Sequence, residues 1–185
     1  YNTYQRATKQ KTNNPNIDQF VNLSTQKDFN PLWIEAFFNS MKQDLNTHTY
    51  PTLKHTIKYM YGSAEVVGLM MAQIMQLDKQ AWTSAQLLGR AMQYANFIRD
   101  IHEDNQLGRN YFPQTDLKKF HLPDLSPQTA YRQTHDFKNF ITHQIDNYRT
   151  WQTQAEQGYQ YIPKSYLVPI KTAAQMYQWT IDTIE

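Results

Sequence analysis

Residues 96–113 read NFIRDIHEDNQLGRNYFP and crowd acidic, basic and amide side chains into one short segment. On a helix turning about 100° per residue, Asn96, Asp100 and Asp104 fall within roughly 60° of Gln93. A stripe of amide, amide, carboxylate and carboxylate therefore runs along a segment otherwise rich in Leu, Ala, Met and Ile. Like charges at i and i+4 cost about 0.2–0.5 kcal/mol on a free helix, and more where water is excluded. A hard divalent cation would offset that cost. Two carboxylates and an amide oxygen suit Mg²⁺, which keeps several waters and shares its shell with substrate phosphates. The competing reading is a solvated helix face, relieved by Arg99, Arg109 or bulk water. Spacing alone favours that second reading, because D-x-x-x-D recurs often by chance.

The elements that must carry this stripe are helical. Asn30 suits an N-cap and Pro31 the first helical position, after which Trp33, Phe37 and Met41 recur every four residues. Pro51 opens a second helix whose apolar side is Leu53, Ile57, Ala64, Val67, Met71 and Ile74. On that helix Tyr59, Ser63, Val66 and Met70 share a face, and Gly62 and Gly68 leave room for an apolar channel or for close helix packing. A third helix starts after Asp78 and runs unbroken toward Gly108, carrying the acidic stripe. A fourth holds Ile141, Ile145, Tyr148, Ala155 and Tyr159 at helical spacing, and Pro163 and Pro169 mark the turn into a last one. Residues 1–29 read as a polar loop followed by an apolar turn around Ile17, Phe20, Val21 and Leu23. With no alternating strand pattern and only five glycines, the expectation is one all-α domain over residues 1–185.

Composition narrows the function classes. The chain has 185 residues, 40% of them hydrophobic and 14% aromatic, enough for a core and against global disorder. A net charge of +2 with no dense basic stripe argues against a nucleic-acid partner. No cysteine occurs, which excludes disulfides, thiolate metal sites and a cysteine nucleophile, and agrees with a cytoplasmic location. The six histidines show no ligand spacing, and His102 points away from the aspartate stripe.

The wider stretch AMQYANFIRDIHEDNQLGRNYFP resembles the second aspartate-rich motif of the squalene/phytoene synthase family, approximately Q-x-x-N-x-x-R-D-x-x-E-D, then G-R-x-Y, then Pro. Gln93, Asn96, Arg99, Asp100, Glu103, Asp104, Gly108, Arg109, Tyr111 and Pro113 match it. Upstream, YMYGSAEVVGLMM is similar to the family's Tyr-x-Tyr-x-x-Ala-x-x-Val-Gly segment through Tyr59, Tyr61, Ala64, Val67 and Gly68. Ser63 and Glu65 depart from the commoner VAGTVG form and resemble the variant of archaeal and some bacterial phytoene synthases. A weaker block, AEQGYQYIP with AAQMY, lies near the family's C-terminal helices. The likeness covers about residues 30 to 185, in the right order.

The resemblance implies an all-α isoprenoid-synthase bundle that joins two prenyl diphosphates head to head, with loss of diphosphate, through a cyclopropyl intermediate. It implies Mg²⁺ held by Asn96, Asp100 and Asp104, with Gln93 and Arg99 meeting the diphosphate or prenyl head. Arg99 lies off the stripe, and a salt bridge to Glu103 explains it equally well. Tyr59, Ser63 and Gly68 would wall an apolar channel that shields an allylic cation from water. Tyr177 would line the same site, although a single tyrosine on a terminal helix is also ordinary core. The Ser63/Glu65 variant tips the expectation toward C20 substrates and phytoene, with C15 substrates and dehydrosqualene or squalene close behind. NADPH use is left open, since no nucleotide fingerprint occurs. A lipid product suggests peripheral membrane contact near Met70 and Met71.

Family enzymes carry two aspartate-rich motifs on facing helices, and only one is found here. Asp18, Asp28, Asp44, Asp116, Asp124, Asp136, Asp146 and Asp182 all lack a carboxylate four residues away. The start, YNTYQRATKQ, resembles the region just after the first motif. The chain is therefore expected to be a fragment lacking that motif and inactive by itself. The alternative is a non-catalytic family member serving as an assembly or scaffold partner.

Overall fold

The computed structural model describes residues 2–185, so Tyr1 of the starting block lies outside the described residues. Helices α1 (Asn2–Ala7), α2 (Pro15–Gln26), α3 (Pro31–Gln43), α4 (Leu53–Met60), α5 (Val66–Ile74), α6 (Trp82–Arg99), α7 (Ile101–Gln106), α8 (Gln114–Lys119), α9 (Pro127–Arg132), α10 (Thr134–Glu156) and α11 (Lys164–Ile184) account for most of them. Two short strands, β1 (Thr49–Tyr50) and β2 (Asn110–Pro113), pair in parallel. The fold class is all-α as expected, but the strand pair was not anticipated. Strands of two and four residues are too short to show an alternating pattern, and only a long-range pairing defines them.

Helix α6 is the axis. One side packs against α10, where Tyr94, Phe97 and Ile98 meet Phe140, Ile145, Tyr148 and Trp151 in the larger core. Its other side faces α5. There a second core joins Phe29, Trp33 and Ile34 of the α3 region to Val66, Leu69 and Met70. Trp82, at the start of α6, closes that core edge-on against Trp33, with ring centroids 5.3 Å apart.

Four local expectations need correction. Within residues 1–29, expected as loop and turn, residues 2–7 and 15–26 are helices. Asn14 accepts a hydrogen bond from the Ile17 amide at 3.2 Å, and Pro15 sits at the first helical position. Asp18 fastens the preceding chain by accepting from the Thr12 amide at 3.0 Å. The second helix begins at Leu53 rather than Pro51 and is interrupted by a π turn, Tyr61–Glu65. The third helix is broken at Asp100, whose φ of −94° and ψ of 13° separate α6 from α7. Pro169 lies inside α11 instead of before it.

The π turn redistributes the faces of the second helix. Each π turn holds an extra residue, so side chains beyond it rotate relative to those before. Val66 and Met70 consequently pack with α3, while Ser63, Val67, Gly68 and Met71 face the other way. The single face Tyr59–Ser63–Val66–Met70 expected from an unbroken helix does not exist. Gly62 is a packing glycine, because a Cβ there would strike the Ala36 carbonyl and Ser40 Oγ of α3. Gly62→Ala should destabilise the protein by about 1–3 kcal/mol through overpacking against backbone. A thermal melt checks this, and an unchanged Tm would contradict the close approach.

Candidate functional site

The stripe on α6 survives the break. The Asp100 amide donates to the Asn96 carbonyl at 2.8 Å and the Asp104 amide to the Asp100 carbonyl at 2.8 Å, so the four-residue stacking continues across the junction. Gln93 and Asn96 line an apolar cavity of about 620 Å³ bounded by α5, α6 and α11. The wall runs along α6 from Ser84 to Asn96. At 1.5 Å per residue, that stretch is roughly 18 Å long. Ser63, Gly68 and Tyr177 also line it, which brings together five of the expected site residues. Ser63 Oγ is buried and has no hydrogen-bond partner. A volume of this size, mostly apolar with a few polar groups at one end, is typical of small-molecule sites.

Asp100 and Asp104 divide. Asp100 is gripped by its neighbour, with Arg99 Nε donating to Oδ1 at 2.6 Å and a terminal nitrogen to Oδ2 at 2.8 Å. This hydrogen bonding holds the Arg99 guanidinium above its ordinary pKa. Arg99 thus pairs with Asp100, not with Glu103 as one of the two sequence readings had it. Asp104 lines a separate cavity of about 220 Å³ with Asn105, Arg109 and Tyr111. Burial, then the charge of Asp100, pushes its carboxyl up to about 6, opposed by Arg109. The repulsion expected from the spacing is therefore present at Asp104.

Tyr59 does not line the large cavity. It is buried in an aromatic stack with Tyr50 and Tyr111, centroids 5.4 and 5.3 Å from its own, and Tyr111 in turn lies 4.3 Å from Phe97. Its phenol donates to Asp44 Oδ2 at 3.0 Å, and the Tyr111 phenol to Oδ1 at 3.4 Å. Burial pushes both phenols above their ordinary pKa, so they remain donors. Asp44 is the residue that the sequence reading set aside, because no carboxylate lies four residues away. The fold supplies the neighbour instead, since the charge of Asp44 also raises Asp104. One signal was legible. Asp44 caps the C-terminus of α3, where a carboxylate meets the negative end of the helix dipole and needs a partner.

Met71 is exposed as expected for a surface contact, but Met70 is buried against α3. No helix among the described residues is long and apolar enough to cross a membrane. Among the described residues, no three His, Cys, Asp or Glu side chains gather into a metal-binding group. By donor type Asn96, Asp100 and Asp104 suit a divalent cation, although Asp100 is held by Arg99 and Asp104 lines a different cavity from Asn96. Their oxygens are hard, the carboxylates are one turn apart, and Asp104 bears a repulsion from Asp100 that Arg109 offsets only in part. Such a donor set suits Mg²⁺ whose remaining positions go to water and phosphate oxygens.

Because Asp104 titrates higher in the folded chain than the ordinary 3.8, the unfolded chain loses that proton first as pH rises. Its contribution to stability is therefore greatest below about pH 4 and falls through about pH 6. Asp104→Asn should remove this fall, a gain on the order of 1 kcal/mol above pH 6 once solvent screening of a half-buried group is counted. Urea unfolding of parent and variant at pH 4 and pH 7.5 measures it, and parallel pH trends would contradict the assignment.

The family model described as squalene/phytoene synthase matches residues 1–185. Chloroplastic phytoene synthase of an Oncidium hybrid cultivar is 30% identical over 165 residues, covering 84% of this chain and 40% of that protein. The 15-cis-phytoene synthase of Synechococcus elongatus is 29% identical over 173 residues, covering 84% of this chain and 55% of that protein. The chain thus spans roughly two-fifths to just over half the length of these relatives. In fold it is similar to the crystal structure of squalene synthase HpnC from Alicyclobacillus acidocaldarius, with TM-score 0.87 at 21% identity, covering 99% of this chain and 70% of that one. A dehydrosqualene synthase crystallised with a ligand gives TM-score 0.69 at 20% identity, covering 95% and 62%. The all-α isoprenoid-synthase bundle anticipated from the motifs is the fold observed. With its family model matched from end to end, the chain belongs to the squalene/phytoene synthase family.

Proposed function

We propose that this chain is the prenyl-diphosphate-binding part of a Mg²⁺-dependent head-to-head prenyltransferase. The observation that carries the reading is the junction on α6, where an apolar cavity of about 620 Å³ ends at Gln93 and Asn96 and two carboxylates continue the stripe beyond it. A prenyl diphosphate has the same division, a hydrocarbon tail and a polyanionic head. The reaction forms a carbon–carbon bond between two such chains as diphosphate leaves. Negative charge collects on the departing oxygens, and a bound cation supplies Lewis-acid stabilisation there.

In this reading Asn96, Asp100 and Asp104 hold Mg²⁺. Gln93 orients the prenyl head by its amide. Arg99, half exposed beside Asp100, would meet the diphosphate. Ser63, Gly68 and Tyr177 contact the tail and exclude water, so that an allylic cation is not captured. Tyr59 and Tyr111, fixed by Asp44, stand behind the acidic end as neutral donors. Residues 1–185 act as a single domain. The favoured substrate is the C20 diphosphate with phytoene as product, before C15 substrates with dehydrosqualene or squalene. The exposed Met71, at the cavity's edge, would touch a membrane surface from the cytoplasmic side as the lipid product leaves.

One carboxylate ladder supplies half of a shell, so residues 1–185 alone should not turn over. Incubation with Mg²⁺ and geranylgeranyl or farnesyl diphosphate, followed by lipid extraction, should give no product from this chain. A longer chain with an acidic helix upstream should give a C40 hydrocarbon. Product from the short chain contradicts the half-shell reading. A longer chain with such a helix but no prenyl product contradicts the reaction.

A further inference from the structure

The π turn Tyr61–Glu65 ends on a buried charge. Glu65 is 3% exposed, and its Oε1 accepts from Arg90 Nε of α6 at 2.7 Å. The Arg90 guanidinium lies over the Trp151 ring of α10, 5.4 Å from its centroid. One ion pair therefore ties together the π turn, α6 and α10. Buried pairs of this kind add little net stability compared with apolar side chains of similar volume, because both charges lose their water. A geometric role accounts for the pair better than a stabilising one.

Its surroundings show what it holds. Arg90 follows Gly89, where a Cβ would strike the Ala64 carbonyl of the π turn. Beyond the turn, Gly68 approaches the Ala85 carbonyl just as closely. Gly68, Gly89, Ala85 and Ser63 all line the large cavity. A π turn is a strained variant of the α-helix and persists only where contacts hold it. If it relaxed to α geometry, residues beyond it would rotate by about 100°. Gly68 would leave Ala85, and branched Val67 or Leu69 would turn toward α6, forcing α5 outward and deforming the wall.

We propose that the Glu65–Arg90 ion pair is a positioning device that pins the π turn and so sets the length of prenyl chain the cavity accepts. This rests on the prenyl reading of the cavity, and it concerns neither the metal nor the diphosphate. It also gives Glu65, a departure from the family's commoner motif, a physical partner.

Two readouts test it: hydrogen exchange at the amides of residues 63–68, and displacement of an apolar dye by farnesol or geranylgeraniol, which carry no diphosphate. The parent should prefer the C20 alcohol. Glu65→Gln removes the charge that holds the partly exposed Arg90 and should speed exchange at these amides about 10-fold. The double variant Glu65→Gln/Arg90→Met keeps the volume and removes both charges, so it should retain the parent's Tm. It should nevertheless exchange about 10-fold faster at residues 63–68 and lose the preference for C20. A double variant with parental exchange and parental chain preference overturns the proposal, as does a parent that takes both alcohols equally. Failure of the diphosphate reading would appear elsewhere, as product or binding indifferent to Mg²⁺, with these two readouts unaffected.

Discussion

Two carboxylates stacked one helical turn apart repel, and the repulsion is worst where burial removes the water that would screen it. Asp104 shows the effect directly, its carboxyl raised to about 6 by burial and by Asp100. A folded chain keeps such an arrangement only where the surrounding structure over-determines it. Here the remainder of the bundle does so. Helix α6 is fixed by α10 on one side and by α5 on the other, and the backbone bonds from Asn96 to Asp104 hold the ladder across a helix break. The break itself gives Asp100 a bidentate partner in Arg99, while Asp104 keeps its charge in a half-buried cavity.

The apolar half of the site depends on the same helix. Glycine and alanine positions let α5 and α6 approach at Gly68 and Gly89, and the π turn displaces the faces so that Val66 and Met70 seal the core with α3. What faces α11 is then a wall of small and flexible residues with Tyr177 opposite. A polar ladder and a greasy channel meet end to end where α6 gives way to α7. That continuity, more than any single residue, is what a substrate with a hydrocarbon tail and an anionic head would recognise.

Much of this was legible in the residues. Asn30 and Pro31 announced α3, and the motif residues Gln93, Asn96, Ser63, Gly68 and Tyr177 stand around one cavity, whereas Tyr59 does not. Asn14 and Pro15 gave the same signal for α2 and were overlooked because the flanking sequence is polar. The π turn and the break at Asp100 carry no proline, and tertiary contact decides both. Asp44 was missed for a related reason. Its partners, Tyr59 and Tyr111, stand far apart in the chain and meet only when β1 and β2 pair beside them. Local spacing reports neighbours on one helix; it is silent about a carboxylate that another helix delivers.

The most direct test of the account is calorimetric titration of the chain with a non-hydrolysable geranylgeranyl thiodiphosphate, with Mg²⁺ and with EDTA. Binding at least about 10-fold tighter with Mg²⁺, a difference abolished in Asp100→Asn/Asp104→Asn, is the predicted result, equivalent to about 1.4 kcal/mol. Equal affinity under both conditions, unchanged by the double substitution, would show that the ladder does not hold a metal-bound diphosphate.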